Sequence, residues 1–264
     1  MENSSELPIG IFDSGLGGLS ICKEIMDVLP NESLVYLADS KNAPYGEKSK
    51  EEIITFSIKN TELLLELGCK VIVVACNTAT TNAINVLRER YDVPFVGIEP
   101  AIKPAALQTI TGKIGVLATK GTLSSDLFLS TSYQFRDELE IIEVEGTNLV
   151  RLIEKGELEE TIPLLEKYIL PMVNQGVDSI VLGCTHYPFL IPMIRELISE
   201  EISIIDSGEA VAKQIQNLLE KDNLLNQNTA SNANRFYTNN DVEILKRFLK
   251  RIDLDATEIS FLEF

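Results

Sequence analysis

The sequence predicts an α/β protein with two similar lobes, each a mainly parallel sheet flanked by helices. Short apolar runs alternate with helical patterns along the 264 residues, which is typical of parallel strands joined by crossover helices. Motifs also recur in the same order: IGVLATKG follows IGIFDSG by 105 residues, and Cys184 in SIVLGCTHYP follows Cys76 in VIVVACNTAT by 108. We therefore expect a pseudo-twofold relation between the lobes, with the functional site in the cleft between them.

Strands in the first half of the chain are predicted where apolar, often β-branched residues follow one another between polar turns. These runs lie at 8–12, 34–38, 71–75 and 94–98. Longer segments with apolar residues three or four positions apart predict helices at 18–29, 49–67, 79–90 and 100–110. Gly68 directly follows the second of these helices, at a position where glycine commonly ends a helix.

The second half of the chain repeats this succession. Strands are predicted at 114–118, 140–145, 179–183 and 202–206, and helices at 123–134, 147–154, 158–175 and 189–199. Gly176 stands at the end of the third of these helices, as Gly68 does in the first half. A helix at 208–220, a strand at 235–238 and a helix at 241–251 follow, and the polar, Asn-rich stretch 222–234 predicts a loop.

The charge balance narrows the class of partner. The chain carries 40 acidic and 23 basic side chains, a net charge of −17, which argues against a protein that grips nucleic-acid phosphates. Its apolar stretches are far shorter than the roughly 20 residues that span a bilayer, so no membrane partner is expected. The first ten residues show no secretory signal pattern, and we expect a cytoplasmic protein.

The cysteines are predicted to be free thiols. Cys22, Cys69, Cys76 and Cys184 form no C-x-x-C pair, and His186 is the sole histidine, so no metal site is expected. A reducing cytosol keeps such thiols unpaired.

Polar residues follow the predicted strands at their carboxyl ends, where parallel α/β sheets bind ligands. Asp13, Cys76, Thr119 and Cys184 all occupy such positions. Two thiols that face each other suit a reaction in which one group removes a proton from one face of a carbon and the other returns it to the opposite face. The paired cysteines thus predict racemisation or epimerisation next to a carbonyl, against the alternative that both are small core residues.

Two further motifs are less specific. The turn FDSGLGG can hold an anion on its amides, but a dinucleotide fingerprint would need glycine where Ser20 stands, although Asp39 is placed as a ribose-binding acid would be. A tight strand-to-helix connection explains this turn equally well. His186 lies two residues after Cys184, close enough to stabilise its thiolate.

The chain resembles the glutamate racemases, which interconvert L- and D-glutamate without a cofactor and supply D-glutamate for bacterial peptidoglycan. The resemblance is carried by GIFDSGLGGL, ADSKNAPYG, VIVVACNTAT, VGIEPAIKPA, IGVLATKGT, LVRLIEKGE, VLGCTHYPFL, IIDSGEAVA and RFYTNND. It implies a homodimer, and a first lobe of residues 1–98 with 207–264 around a second lobe of 99–206.

The resemblance also implies roles for individual residues. Cys76 would take the α-proton from D-glutamate and Cys184 from L-glutamate, with Asp13 assisting Cys76, and His186 assisting Cys184 with Glu154 behind it. Glutamate would be held by Asp13, Ser14, Pro44, Tyr45, Gly46, Asn77, Thr78, Thr119, Thr122, Thr185 and His186.

Three alternatives stay open at the level of sequence. An aspartate racemase differs by one methylene of substrate, which is worth only about 1–3 kcal/mol of discrimination. A two-lobe protein that binds an amino acid without turning it over would explain the cleft but not the paired thiols. A pyridoxal-dependent racemase would need a Schiff-base lysine, and no lysine stands in a motif that suggests one.

Overall fold

A computed structural model describes residues 4–228 and 233–264 of the chain. Its ten strands, all paired in parallel, are β1 Ile9–Asp13, β2 Leu34–Ala38, β3 Val71–Val74, β4 Phe95–Gly97, β5 Lys113–Ala118, β6 Glu140–Glu145, β7 Ser179–Gly183, β8 Ser203–Ile205, β9 Arg235–Thr238 and β10 Glu258–Phe261. They form two sheets, which confirms the predicted α/β class.

Eleven α-helices connect the strands within the described residues. They are α1 Leu19–Val28, α2 Lys50–Glu66, α3 Asn77–Arg90, α4 Ile102–Gln108, α5 Lys120–Leu123, α6 Asp126–Tyr133, α7 Leu149–Lys155, α8 Ile162–Asn174, α9 Ile191–Leu197, α10 Gly208–Lys221 and α11 Val242–Arg251. None of the helices in the described ranges is long and apolar enough to cross a membrane.

The two sheets repeat one strand order. The first runs β10-β9-β2-β1-β3-β4 and the second β6-β5-β7-β8, so four strands of the first sheet match the whole of the second. β1 and β5 take equivalent central places, and β3 and β7 each lie beside them. The repeated motifs of the sequence therefore reflect a repeated arrangement of strands.

Burial explains why the strands read as unbroken apolar runs. All residues of β1, β2, β3 and β7 are buried, because helices cover both faces of each sheet. The largest hydrophobic core contains residues from both sheets, among them Ile11 of β1 and Leu182 of β7. Helices α1 and α10 pack against each other over this core. The strand ends of the two sheets are thereby held close together.

Most predicted elements are present, with four differences. The strand β10 was not predicted, because its residues are partly exposed and lie at the sheet edge. The predicted helix 123–134 begins only at Asp126 as α6, where the Ser125 hydroxyl caps it, and the short helix α5 that precedes it was not predicted. The predicted helices 158–175 and 189–199 each begin as a 3-10 turn, at Glu159–Thr161 and Tyr187–Leu190. Helix α3 begins at Asn77, two residues before the predicted start.

The predicted glycine caps are confirmed. Gly68 and Gly176 adopt left-handed φ angles of 80° and 86°, which glycine accepts without steric cost. The predicted loop 222–234 is free of helix and strand in its described part, and residues 229–232 of that prediction lie outside the described residues.

Candidate active site

The two sheets meet at a cavity of about 250 Å³ between the carboxyl ends of their strands. One wall comes from segments that follow β1, β2 and β3, and the other from segments that follow β5 and β7 together with α7. The lining residues are Ser14, Pro44, Tyr45, Gly46, Cys76, Asn77, Thr78, Thr119, Val150, Cys184, Thr185 and His186. The two cysteines singled out by spacing thus face one cavity from different sheets.

Cys76 is the residue that caps the N-terminus of α3. The early start of this helix places the Cys76 Sγ 3.4 Å from the amide nitrogen of Ala79, which donates to it, and 3.6 Å from the Ser14 Oγ. Burial nevertheless raises the pKa of Cys76 well above its ordinary value, and the charge of Asp13 raises it further. The side chain therefore rests as a thiol, a proton donor.

Cys184 has a different environment, because it ends β7 and lies beside His186. The Cys184 Sγ is 3.8 Å from the Nδ1 of His186, and the Nε2 of the same ring lies 2.5 Å from the Glu154 Oε1. The imidazole is thus placed between a thiol and a carboxylate. Glu154, in the EKGELEE stretch that reads as a solvated helix face, has a side chain only 12% exposed.

The charge state of His186 follows from these contacts. Burial by itself lowers the pKa of His186, but the hydrogen bonds to Cys184 and Glu154 and the charges of Glu154 and Asp13 outweigh it, so the pKa lies well above its ordinary value. His186 is therefore an imidazolium at neutral pH. An imidazolium next to a cysteine stabilises the thiolate, the form that removes a proton.

Asp13 lies behind the cavity wall rather than in it. Its carboxylate accepts hydrogen bonds from the Gly15 amide and from the Thr185 hydroxyl, both at 3.1 Å. Burial raises the pKa of Asp13 and the charge of Glu154 adds to the rise, although His186 and nearby amides oppose it. A carboxyl group with a raised pKa holds a proton more readily than an ordinary aspartate, which suits a group that assists proton transfer.

Three threonine hydroxyls form a closed ring between the two walls. The Thr78 Oγ1 lies 2.9 Å from that of Thr119 and 3.2 Å from that of Thr122, and the last two lie 3.0 Å apart. Thr78 belongs to α3, whereas the other two belong to the segment after β5. Thr122 supports the ring from behind and does not line the cavity.

The segment at Pro44–Gly46 is held by a buried polar cluster that sequence reasoning missed. The Tyr45 hydroxyl donates to the Asp39 carboxylate at 2.5 Å, and the same carboxylate accepts from Asn42 at 2.8 Å and Asn239 at 2.5 Å. Asp39, considered above as a ribose-binding acid, thus anchors this loop instead. The motif RFYTNND contains Asn239, one of the residues that donate to Asp39, and is the part of the sequence that could have indicated this cluster.

Two cavity features bear on what binds there. Asn77 is buried, and no group among the described residues donates a hydrogen bond to its Oδ1. A ligand with N–H donors can therefore supply the missing hydrogen bond. Val150, which was not predicted, adds one apolar contact. Among the described residues that line the cavity there is no lysine or arginine, so hydroxyls, amides and the imidazolium of His186 are the groups that can meet an anionic ligand.

An ion pair closes the outer side of the cavity. Arg151 of α7 donates from Nε to Glu47 Oε1 at 3.0 Å, and its Nη2 contacts the other carboxylate oxygen. Both residues line a neighbouring cavity of about 350 Å³ that shares Pro44, Gly46, Thr119 and Val150 with the first. The pair thus connects the two walls beside the cavity that the cysteines line.

The donor set does not suit a metal. Within residues 4–228 and 233–264 there is no group of three or more His, Cys, Asp or Glu side chains arranged to hold an ion.

The sequence matches the family model for Asp/Glu/hydantoin racemases over residues 10–215. It is 47% identical to a glutamate racemase of Ectopseudomonas mendocina over 94% of this chain and 95% of that protein, and 46% identical to one of Pseudomonas aeruginosa over 91% and 92%. The fold superimposes on a glutamate racemase isoform of Bacillus anthracis with a TM-score of 0.86 at 30% identity, covering 98% of both chains. The Escherichia coli glutamate racemase gives 0.84 at 32% identity, covering 97% and 98%. This chain therefore belongs to the Asp/Glu/hydantoin racemase family.

Proposed function

We propose that the protein interconverts L- and D-glutamate by proton transfer between two thiols at the α-carbon. The observation that carries this proposal is that Cys76 and Cys184 line one cavity from different sheets. One thiolate would take the α-proton of glutamate and become a thiol, leaving a planar carbanion that the other thiol protonates on the opposite face, becoming a thiolate itself. Cys76 and Cys184 are the proposed catalytic residues, with Asp13, His186 and Glu154 in supporting roles.

The protonation states support a defined starting point for each direction. The imidazolium of His186 lies 3.8 Å from the Cys184 sulfur, which is proposed to take the α-proton of L-glutamate, while Cys76 rests as a thiol that can protonate the opposite face. In the reverse direction, Cys76 must first lose its proton, and Asp13 is the nearby carboxyl that helps it to do so. Every proton that leaves one thiol is replaced on the other.

Substrate binding is proposed to use hydroxyls and main-chain amides beside the imidazolium of His186. The hydroxyls of Thr78 and Thr119 and the amides at the start of α3 can donate to the two carboxylates of glutamate, while the unpaired Asn77 Oδ1 can accept from its ammonium. Thr185 lines the wall with its hydroxyl turned to Asp13. Ser14, Tyr45 and His186 complete the polar wall, with Pro44 and Gly46 contributing backbone and Thr122 supporting the threonine ring.

Glutamate is favoured over aspartate by the comparisons. The most similar curated relatives reported above are glutamate racemases, and the Escherichia coli enzyme was crystallised with L-glutamate and an activator. A solved aspartate racemase of Picrophilus torridus shares only 20% identity with this chain, which speaks for the fold alone. Assay of both enantiomeric pairs distinguishes the two substrates.

Deuterium wash-in tests the reaction itself. In D₂O the protein should exchange the α-hydrogen of glutamate and racemise either enantiomer without added pyridoxal phosphate, as followed by NMR and optical rotation. A binding protein would exchange nothing, and that result would overturn the proposal. Activity that disappears on removal of a bound, visibly absorbing cofactor would overturn the cofactor-independent mechanism.

The biological setting is part of the same proposal. All four cysteines are free, which suits a reducing cytoplasm, and the resemblance points to supply of D-glutamate for peptidoglycan. The exposed apolar side chains of Leu107, Ile110 and Tyr133 are compatible with a homodimer, which sedimentation analysis tests. Because β9 and β10 join the first sheet, we infer a first lobe of 1–98 with 207–264 and a second of 99–206.

A further inference from the structure

Three consecutive amides of the turn after β1 point at three titratable side chains. The Gly15 N–H donates to Asp13 at 3.1 Å, the Leu16 N–H to Glu154 Oε1 at 2.6 Å, and the Gly17 N–H is directed at His186 Nε2 at 3.2 Å. Glu154 and His186 are 138 and 169 residues away from their partners in the chain. The turn therefore holds Glu154 of the opposite wall through the Leu16 amide. The Gly17 amide is a close neighbour of the ring rather than a donor to it, because Nε2 of the imidazolium donates its own proton to Glu154.

Close approach explains why glycine stands at both ends of this turn. A Cβ atom on Gly15 would lie 2.1 Å from Glu154 Oε1, and one on Gly17 would lie 2.3 Å from His186 Nδ1 and 2.6 Å from Thr185 Oγ1. Real Cβ atoms do not approach other heavy atoms so closely. Neither glycine has a positive φ, so the backbone conformation does not demand glycine. The requirement comes from the facing side chains.

We propose that Gly15-Leu16-Gly17 is a positioning segment that sets the Glu154–His186 pair against Cys184. The proposal rests on the proposed racemase function and deepens it, because it assigns the orientation of the groups beside Cys184 to a segment on the wall that carries Cys76. The same oxygen of Glu154 receives the Leu16 amide at 2.6 Å and the His186 ring at 2.5 Å, so the turn fixes the carboxylate that orients the ring. The ring in turn faces Cys184 at 3.8 Å.

The segment acts on one thiol more than on the other. Cys76 Sγ has its contacts with Ser14 and with the Ala79 amide, neither of which is part of Gly15-Leu16-Gly17. The segment reaches Asp13, the proposed assistant of Cys76, through the Gly15 amide, a main-chain donor that an alanine substitution retains. A displaced imidazole should therefore impair proton removal by Cys184 while leaving Cys76 nearly intact. The two faces of the reaction should be separable by a change in the main chain.

An irreversible reaction is needed to see this difference, because racemisation rates in the two directions are tied by an equilibrium constant of unity. Glutamate with chlorine on its β-carbon provides one. The thiolate takes the α-proton, the electron pair forms the carbon–carbon double bond, chloride leaves with the pair of its bond to carbon, and the thiol returns its proton to solvent. Each enantiomer then reports on the thiol that faces its α-hydrogen.

The test compares Gly17→Ala and Gly15→Ala with the parent protein on both enantiomers of this analogue. Elimination from the L-form, through Cys184, should fall at least tenfold more than elimination from the D-form, through Cys76. Gly176→Ala is the control for lost stability, since its φ of 86° strains alanine while nothing lies within 4 Å of the added Cβ. Equal losses on both enantiomers in the turn variants would overturn the proposal, and if Gly17→Ala does not fold, Gly15→Ala carries the same comparison.

A second readout does not depend on activity. His186 is the sole histidine of the chain, so ¹⁵N NMR of the imidazole gives a single titrating signal. In Gly17→Ala the midpoint of that titration should move towards the ordinary histidine value, because contact with Glu154 is weakened. An unchanged midpoint would overturn the positioning role. A parent protein that neither exchanges nor eliminates would overturn the proposed function, while a shifted midpoint would still support positioning.

Discussion

The Thr185 hydroxyl donates a hydrogen bond to the Asp13 carboxylate at 3.1 Å, although 172 residues separate them in the chain. The bond joins the end of β1 in the first sheet to the residue after Cys184 in the second. Through it, the proposed assistant of one thiol contacts the direct neighbour of the other. The groups that assist Cys76 and those beside Cys184 are thus joined by a hydrogen bond. A substitution near one thiol can therefore affect both, and its effect on each thiol is measured only by a reaction that reports on one face of the α-carbon.

Replacement of either cavity thiol by serine should lower racemisation by about 10²–10⁴-fold, the usual contribution of general acid–base catalysis, because a hydroxyl is a far weaker acid. Cys76→Ser should keep elimination from the L-form of a β-chloro analogue through Cys184, and Cys184→Ser should keep it from the D-form. Cys69→Ala is the control, since this buried cysteine does not line the cavity. Racemisation at the parent rate in either serine variant would exclude that cysteine as a base.

Asp13→Asn should stabilise the fold more at pH 8 than at pH 4 while lowering activity. The pKa of Asp13 is raised above its ordinary 3.8, so its contribution to stability is complete below 3.8 and is lost as the pH rises through the folded-state pKa. Above that pKa the buried Asp13 carboxylate is charged and destabilises the fold, and asparagine removes this charge. Urea unfolding of both proteins at several pH values measures the difference.

Asp178→Asn supplies a control of opposite sign. Partial burial would raise the pKa of Asp178, but the hydroxyl of Thr109 and the amides of Thr111 and Ile110 donate to it and lower the pKa. Its stability contribution is present above pH 3.8 and lost as the pH falls through the folded-state pKa, so the variant should be less stable at pH 8 than the parent. The same pH trend in both variants would contradict the assignment.

Lys70→Met should lower the free energy of unfolding by about 3–5 kcal/mol, because it leaves the Glu32 carboxylate buried without its cation. The two side chains are 2% and 1% exposed and lie 2.6 Å apart. A double variant, Lys70→Met with Glu32→Met, should recover part of the loss. Lys23→Met, in an exposed pair, should change stability by within about 0.5 kcal/mol, and a similarly small loss for Lys70→Met would contradict the prediction.

The pair between Glu47 and Arg151 should influence substrate entry more than stability, because both side chains are about half exposed and the pair joins the two cavity walls. Arg151→Gln should raise KM by roughly 2- to 5-fold with a smaller change in kcat, as expected for an exposed pair. The effect should fade at high salt, and the exchanged pair Glu47→Arg with Arg151→Glu should restore KM. Lys213→Gln, on an exposed pair of α10, is the matched control. A KM that does not respond to Arg151→Gln would exclude the role.

The polar cluster around Asp39 shows where sequence reasoning stopped. RFYTNND was recognised as a motif, but nothing in its letters indicates that Asn239 would reach the Asp39 carboxylate 200 residues earlier and so hold the Pro44–Gly46 loop. The glycine spacing in FDSGLGG fits both an anion-holding turn and a tight strand-to-helix connection. It does not indicate that Glu154 and His186 approach Gly15 and Gly17, because that approach depends on how the two sheets pack.

The sequence by itself determined the fold class, the repetition of motifs in two halves of the chain and the strand-end positions of Cys76 and Cys184, because apolar periodicity and motif spacing are local properties of the chain. The early start of α3, which makes Cys76 a helix cap, was missed because polar residues after a strand do not mark the helix boundary. Tertiary structure alone decided the rest. It brought Glu154 to His186, Thr185 to Asp13, and the amides of Leu16 and Gly17 to Glu154 and His186, since contacts across 32 to 172 residues are fixed by the packing of two sheets over one shared core.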